Sequence, residues 1–250
     1  MSRLLQVLKY GWKDASTVSK ETKGSKYIEY FKIILCYCRY GVWTNQYRKN
    51  RLWEKTGGEY KTLCKKIGTI NKEHEKWLKD WHANRKFILK YSSLKYDTSS
   101  SKRNKRSSEY QKRFNMGDGT TVQYNVDICN AHYMYGSIKI GKKCFIGKNC
   151  FIDYTGKVDI EDNVLIANGT VIETHHRDVD AYNRGEDVNI PTSLLIRENA
   201  YIGSRVMILD SCNYIGKNAR IGAGAVVTKD VPDNALAVGV PAKVIKIIGE

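Results

Sequence analysis

The sequence predicts a mainly β chain: a parallel β-helix built on hexapeptide repeats, preceded by an α-helical N-terminal domain. Three observations carry the prediction. Aliphatic residues return every six positions through the second half of the chain, as in Ile215, Ile221 and Val227. Small or β-branched residues recur at the fifth place of the same sixes, as in Ala219 and Ala225. Charge divides the chain, with 28 Lys/Arg against 10 Asp/Glu in residues 1–113 and 14 against 16 in residues 114–250. An amphipathic helix repeats its apolar positions at three and four and a lone strand at two, so a period of six calls for a short strand plus a turn. Stacked coils of that unit bury their aliphatic residues against one another.

In chain order, residues 1–95 read as short helices. Tyr27, Ile28, Phe31, Ile34, Leu35 and Cys38 keep helical spacing, and Gly41 follows where a helix would end. Thr44 could open a second helix to Lys55, a third falls near residues 59–66, and Asn71 could cap a longer one with Trp77, Leu78, Trp81 and Ile88 on one stripe. His74 and His82 have no partner at ligand or catalytic spacing and read as ordinary histidines. Residues 96–114 are rich in Ser, Lys and Arg without apolar period, and read as an exposed polar, basic linker.

The β-helix is expected over residues 115–248. Val122, Ile128, Met134, Ile140, Ile146 and Ile152 keep the step, then two extra residues intervene around Gly156. Ile160, Ile166 and Ile172 follow, then Ile196, Ile202 and Ile208, and one extra residue precedes Ile215. The fifth places include Cys144, Cys150 and Cys212, and also His132, which reads as a core residue. One excursion breaks the count, at residues 173–194, and it is rich in Asp, Asn and Arg. Long ordered loops leaving a repeat scaffold are commonly functional.

Seven cysteines, without a Cys-x-x-Cys pair, fit buried reduced thiols in a cytoplasmic protein. No signal peptide or membrane span is expected. The net +16 of the chain lies in its first half, which could meet an acidic partner such as an anionic membrane at the inner face of the plasma membrane. No nucleic-acid module is visible and no nucleic-acid partner is expected.

The repeats and the tail Ile221–Lys246, IGAGAVVTKDVPDNALAVGVPAKVIK, resemble the left-handed β-helix (hexapeptide-repeat) acyltransferases, and the tail is similar to the acetyl-CoA-binding end of sugar and xenobiotic O-acetyltransferases. The resemblance covers residues 115–248. It implies left-handed crossovers, where the general rule for parallel connections gives right-handed ones. It also implies a homotrimer with sites between neighbouring β-helices.

Acyl transfer from a thioester to a hydroxyl needs a base, and histidine suits it at neutral pH. His175 and His176 are adjacent candidates in the excursion. The hexad count places His176 on an inward position and His175 on an outward one, and His175 with Asp178 matches the family's His-x-x-Asp pattern, so His175 is preferred. Asp153 is expected on an outward position, where family members contact acceptor hydroxyls. For the acetyl-CoA carrier the resemblance points to Gly203 and Ser204 at the thioester and pantetheine, then Ala223, Thr228, Lys229 and Lys243. Tyr201 departs from relatives that carry Trp there. No metal is expected, because His132, His175 and His176 lack the spacing of a zinc-binding β-helix.

The favoured function is acetylation of a sugar hydroxyl by acetyl-CoA, in the synthesis of a bacterial surface polysaccharide. An amino-sugar N-acetyltransferase, a serine O-acetyltransferase, a xenobiotic acetyltransferase and a non-catalytic assembly protein are the alternatives.

Overall fold

The computed structural model describes residues 60–130, 136–183 and 189–248. The chain divides between Lys79 and Asp80 into two compact units. The helices expected before residue 59, and His132 and Met134, lie outside the described residues. In place of two helices, from about 59 and from Asn71, one helix, α1 (Tyr60–Tyr91), runs without a break. Asn71 is interior to it. His82 is exposed and its ring meets Trp81 edge-on.

From residue 115 onward the hexads form the expected coils. Strands fall into three parallel sheets. The first runs β1 (Thr121–Val122), β4 (Phe145–Ile146), β7 (Leu165–Ile166), β12 (Tyr201–Ile202), β15 (Arg220–Ile221) and β17 (Ala235–Val238). The second runs β2 (Asp127–Cys129), β5 (Phe151–Asp153), β8 (Val171–Ile172), β13 (Met207–Ile208) and β16 (Val226–Val227). The third runs β3 (Ser137–Ile140), β6 (Lys157–Ile160), β11 (Ser193–Ile196) and β14 (Tyr214–Ile215). Consecutive strands visit the sheets in turn, so each coil supplies one strand to each wall of a solenoid. Like residues stack in register: Ile128, Ile152, Ile172, Ile208 and Val227 form one buried column. The column is apolar because the first residue of each hexad has no water to face, and burying each such side chain is worth roughly 1.5–3 kcal/mol.

The corners repeat as regularly as the walls. The fourth place of the hexad takes positive φ, at Asn125, Lys143, Asn149, Asn163, Asn199, Arg205 and Asn218, and at Gly169 and Gly224. Asn and Gly tolerate the left-handed region best, which is why they recur there. Side chains stack along one such corner, with Asn199 Nδ2 donating to Asn218 Oδ1 at 3.2 Å and Asn218 Nδ2 to Asn234 Oδ1 at 2.8 Å.

Residues 96–114 are not an exposed linker. They contain α2 (Ser100–Arg113), opened by Ser99, whose hydroxyl accepts the Lys102 N–H, and Arg106, Ser107 and Tyr110 are buried. Arg106 Nε donates to the Val122 carbonyl at 2.9 Å, Tyr110 Oη to Val126 at 2.7 Å and Gln111 Nε2 to Thr120 at 2.7 Å. From α1, Asn84 Nδ2 donates to Ile128 O at 2.7 Å. The first coil has no coil beneath it, so these polar side chains occupy acceptors that a preceding coil would have filled. That is why the helix lacks an apolar period: its buried face is polar by function. At the other end β18 (Lys243–Ile247) folds back antiparallel on β17.

Candidate active site

The excursion is a hairpin arm. After β8 the chain runs out as β9 (His175–Arg177), turns through the short helix α3 (Val179–Asn183) and returns as β10 (Asn189–Pro191). β9 and β10 pair antiparallel, His175 opposite Pro191 and His176 opposite Ile190. The hexad count therefore ends at Ile172, and the buried residue at the root of the arm is Thr174.

This corrects two expectations. His176 does not point inward: its side chain is 47% exposed. Asp153 is not outward: its side chain is 1% exposed. The carboxylate that meets His175 Nδ1 is Asp153, at 2.7 Å. Asp178 stands between β9 and α3.

Asp153 is held from several sides. Its Oδ1 accepts from the Thr155 hydroxyl at 2.6 Å and the Thr155 N–H at 3.0 Å, and its Oδ2 from the Thr174 N–H at 3.2 Å. Burial works to raise its pKa, but the Thr155 hydroxyl, His175 and the Thr174 N–H outweigh it and hold the carboxyl below the usual carboxylate value. The ionised Asp153 accepts Nδ1–H, which fixes the His175 tautomer and puts the lone pair on Nε2. Gly156 lets the arm root lie this close, since a Cβ there would stand 1.7 Å from the Thr192 carbonyl oxygen. The two residues inserted around Gly156 thus make room for the arm.

The second imidazole has a carboxylate of its own. His176 Nδ1 lies 2.5 Å from Asp210 Oδ2.

The expected carrier residues occupy two corners. Gly203 and Ser204 follow β12, and Ala223 follows β15 directly above them, with Gly224 N–H donating to the Ser204 carbonyl at 2.8 Å. The Gly203 N–H donates within the wall to Ile221 at 2.9 Å, whereas the Ser204 N–H meets no acceptor among the described residues. Thr228 and Lys229 follow β16, on the same edge of the second sheet as Asp153 and Asp210. Lys229 and Lys243 are exposed.

Cys129, Cys144, Cys150 and Cys212 are buried and free. Burial pushes the Cys129 and Cys212 thiols up to about 12. None is suited to act as an acyl-accepting nucleophile at neutral pH. Among the described residues no group of His, Cys, Asp and Glu could hold a metal ion. No helix there is long and apolar enough to cross a membrane.

The family pattern described as "Hexapeptide repeat of succinyl-transferase" matches residues 137–173 and 196–229, leaving out the arm between them. The β-solenoid thus carries the hexapeptide repeat of that pattern, and the chain is similar to named acetyltransferases. Among particular relatives, galactoside O-acetyltransferase of Escherichia coli K12 is 39% identical over 127 residues, 48% of this chain and 59% of that protein. The chain thus spans little more than half the length of the curated relatives it matches. A maltose O-acetyltransferase from Clostridium difficile 630 superposes with a TM-score of 0.54 at 27% identity, over 70% of this chain and 90% of that one. A hexapeptide-repeat containing acetyltransferase from Vibrio cholerae does so with a TM-score of 0.50 at 25% identity, over 70% and 99%.

Proposed function

We propose that the protein is an acetyl-CoA-dependent O-acetyltransferase that acts on a sugar hydroxyl. The observation that carries the reading is His175 on a protruding arm, its Nδ1 held by the buried, ionised Asp153. In the proposed reaction His175 Nε2 takes the acceptor hydroxyl's proton, the oxygen attacks the thioester carbonyl, and the Ser204 N–H receives the developing oxyanion. Collapse expels coenzyme A thiolate, which takes the proton back from the imidazolium. The base supplies roughly a hundred- to ten-thousand-fold, and one oxyanion donor about a hundred- to a thousand-fold. Lys229 and Lys243 are assigned to the carrier's phosphates, where charge-assisted contacts are strong. The galactoside and maltose relatives support a sugar as acceptor. Placement in surface-polysaccharide synthesis belongs to the same proposal.

The proposal includes a homotrimer. His175 is tied to one edge of the second sheet and Ser204 lies at the other, a separation on the order of 20 Å for six nearly extended residues. Base and thioester must approach within about 3–3.5 Å, so the arm of one copy meets the carrier corner of its neighbour. The two walls that flank Ser204 carry outward apolar ladders, Phe145, Leu165 and Tyr201 on one and Phe151, Val171, Met207 and Val226 on the other. The third wall shows Lys139, Asp159, Leu195 and Tyr214. Apolar walls beside Ser204 are the kind of surface a subunit interface covers.

The test supplies acetyl-CoA with a panel of sugars, sugar nucleotides, serine and chloramphenicol and follows free thiol. Turnover with a sugar that is lost in His175→Ala is expected. Absence of thiol release with every sugar would end the reading. The basic first half, proposed to contact an anionic membrane, should give salt-sensitive binding to phosphatidylserine vesicles, and equal binding to neutral vesicles would refute that contact.

A further inference from the structure

His176 is set up electronically like His175 but placed differently. Its Nδ1 is held by a carboxylate, so the lone pair again sits on Nε2. Yet it is 47% exposed against 20% for His175, and its carboxylate, Asp210, is 22% exposed against 1% for Asp153. The inner pair suits proton transfer in a secluded site; the outer pair offers a fixed hydrogen-bond acceptor to a ligand at the rim.

Asp210 does not reach His176 by chance of a mobile side chain. It sits in the turn Leu209–Cys212, closed by the Cys212 N–H on the Leu209 carbonyl at 2.9 Å, within the seven-residue interval that breaks the sixfold step. Ser211 Oγ ties that turn to the next coil through the Thr228 carbonyl at 3.0 Å. Asp153 ends β5 and Asp210 follows β13, the strands on either side of β8. The two carboxylates therefore grip the arm's root from the coil before and the coil after, and each fixes one imidazole.

We propose that His176 is a specificity-determining residue for the acceptor. Its Nε2 accepts a hydrogen bond from a second hydroxyl of the molecule whose first hydroxyl is deprotonated by His175, and Asp210 is the positioning residue that holds its tautomer. The acceptor class that follows is a polyol, with at least one hydroxyl beyond the acetylated one recognised by the arm. This rests on the O-acetyltransferase reading and adds to it the side chain that chooses among acceptors.

The experiment uses the full chain, acetyl-CoA, and the best of the p-nitrophenyl glycosides of galactose, glucose and N-acetylglucosamine, with its singly deoxygenated analogues. Thiol release is followed for wild type, His175→Ala, His176→Ala and Asp210→Asn. A lost neutral hydrogen bond predicts an acceptor KM raised about tenfold in His176→Ala, with kcat and the acetyl-CoA KM unchanged. Asp210→Asn should move the same parameter in the same direction. One deoxy analogue, poor for wild type, should be as good as its parent for His176→Ala. Unchanged acceptor KM in His176→Ala overturns the inference, as does a fall confined to kcat; His175-dependent turnover would then leave the O-acetyltransferase reading intact. Wild type that releases no thiol with any glycoside sinks both.

Discussion

Asp153 and His175 are 22 positions apart and meet at 2.7 Å, because β5 and β8 are neighbours in one sheet and the arm begins two residues beyond β8. The contact joins a group that the solenoid buries to one that the solenoid cannot accommodate.

Removing the charge of Asp153 should therefore cost turnover more than folding. In Asp153→Asn the amide oxygen can still accept from Thr155 and the NH2 can donate to the Thr174 hydroxyl, but the Thr174 N–H loses its acceptor and the imidazolium loses its counter-charge. A kcat lowered about a hundredfold with an unchanged KM for acetyl-CoA is expected, within the range that a general base supplies. Steady-state thiol release measures both.

The same carboxyl makes stability depend on pH. Its pKa is depressed in the folded protein, so the folded state binds that proton less readily than the unfolded chain. The stabilisation is present above the ordinary aspartate value of about 4 and is lost as pH falls through the depressed value. Urea midpoints of wild type and Asp153→Asn should differ most at neutral pH and converge as pH falls below the ordinary aspartate value of about 4.

At the N-terminal end of the solenoid, Tyr110→Phe should lower stability by about 1 kcal/mol, the net worth of the hydrogen bond to Val126. Arg106→Ala should cost more, about 3 kcal/mol, since it strands both the Val122 carbonyl and Asp97, whose carboxylate Arg106 meets at 2.7 Å. Denaturant unfolding of the two variants gives the order directly.

The corners offer a backbone test. Asn218 has φ of 56° and lies between Asn199 and Asn234 in the side-chain stack. Asn218→Val should cost upward of about 2 kcal/mol, combining left-handed strain with the lost stack, whereas Asn218→Gly should keep most of the stability. Equal thermal shifts for the two would contradict the assignment.

Thiol labelling checks the interior. Cys129, Cys144, Cys150 and Cys212 are buried, and burial raises all four thiols above their ordinary value. Iodoacetamide at neutral pH should modify them only after unfolding, as peptide mapping would report.

The walls of the solenoid were legible in the sequence because a stacked coil makes the same demand every six residues, and Ile140, Ile146, Ile160 and Ile166 each answer it in their own hexad. The arm was legible as well, since it is where that demand lapses, and with it the pair of adjacent histidines. The Asn and Gly of the fourth places carried a further signal, positive φ at each corner, that the sixfold count of apolar residues passed over. Which carboxylate serves which imidazole was not legible. His175 to Asp153 and His176 to Asp210 are contacts between coils, set by the register of β5, β8 and β13 and by the turn after Ile208, and a count extended past Ile172 gives His176 the wrong face. Nor could composition show that Arg106 and Tyr110 close the first coil, because a helix that caps exposed backbone acceptors buries polar atoms and so looks like linker. A repeat writes its period into the chain, whereas a contact between coils depends on distances that only the folded stack supplies.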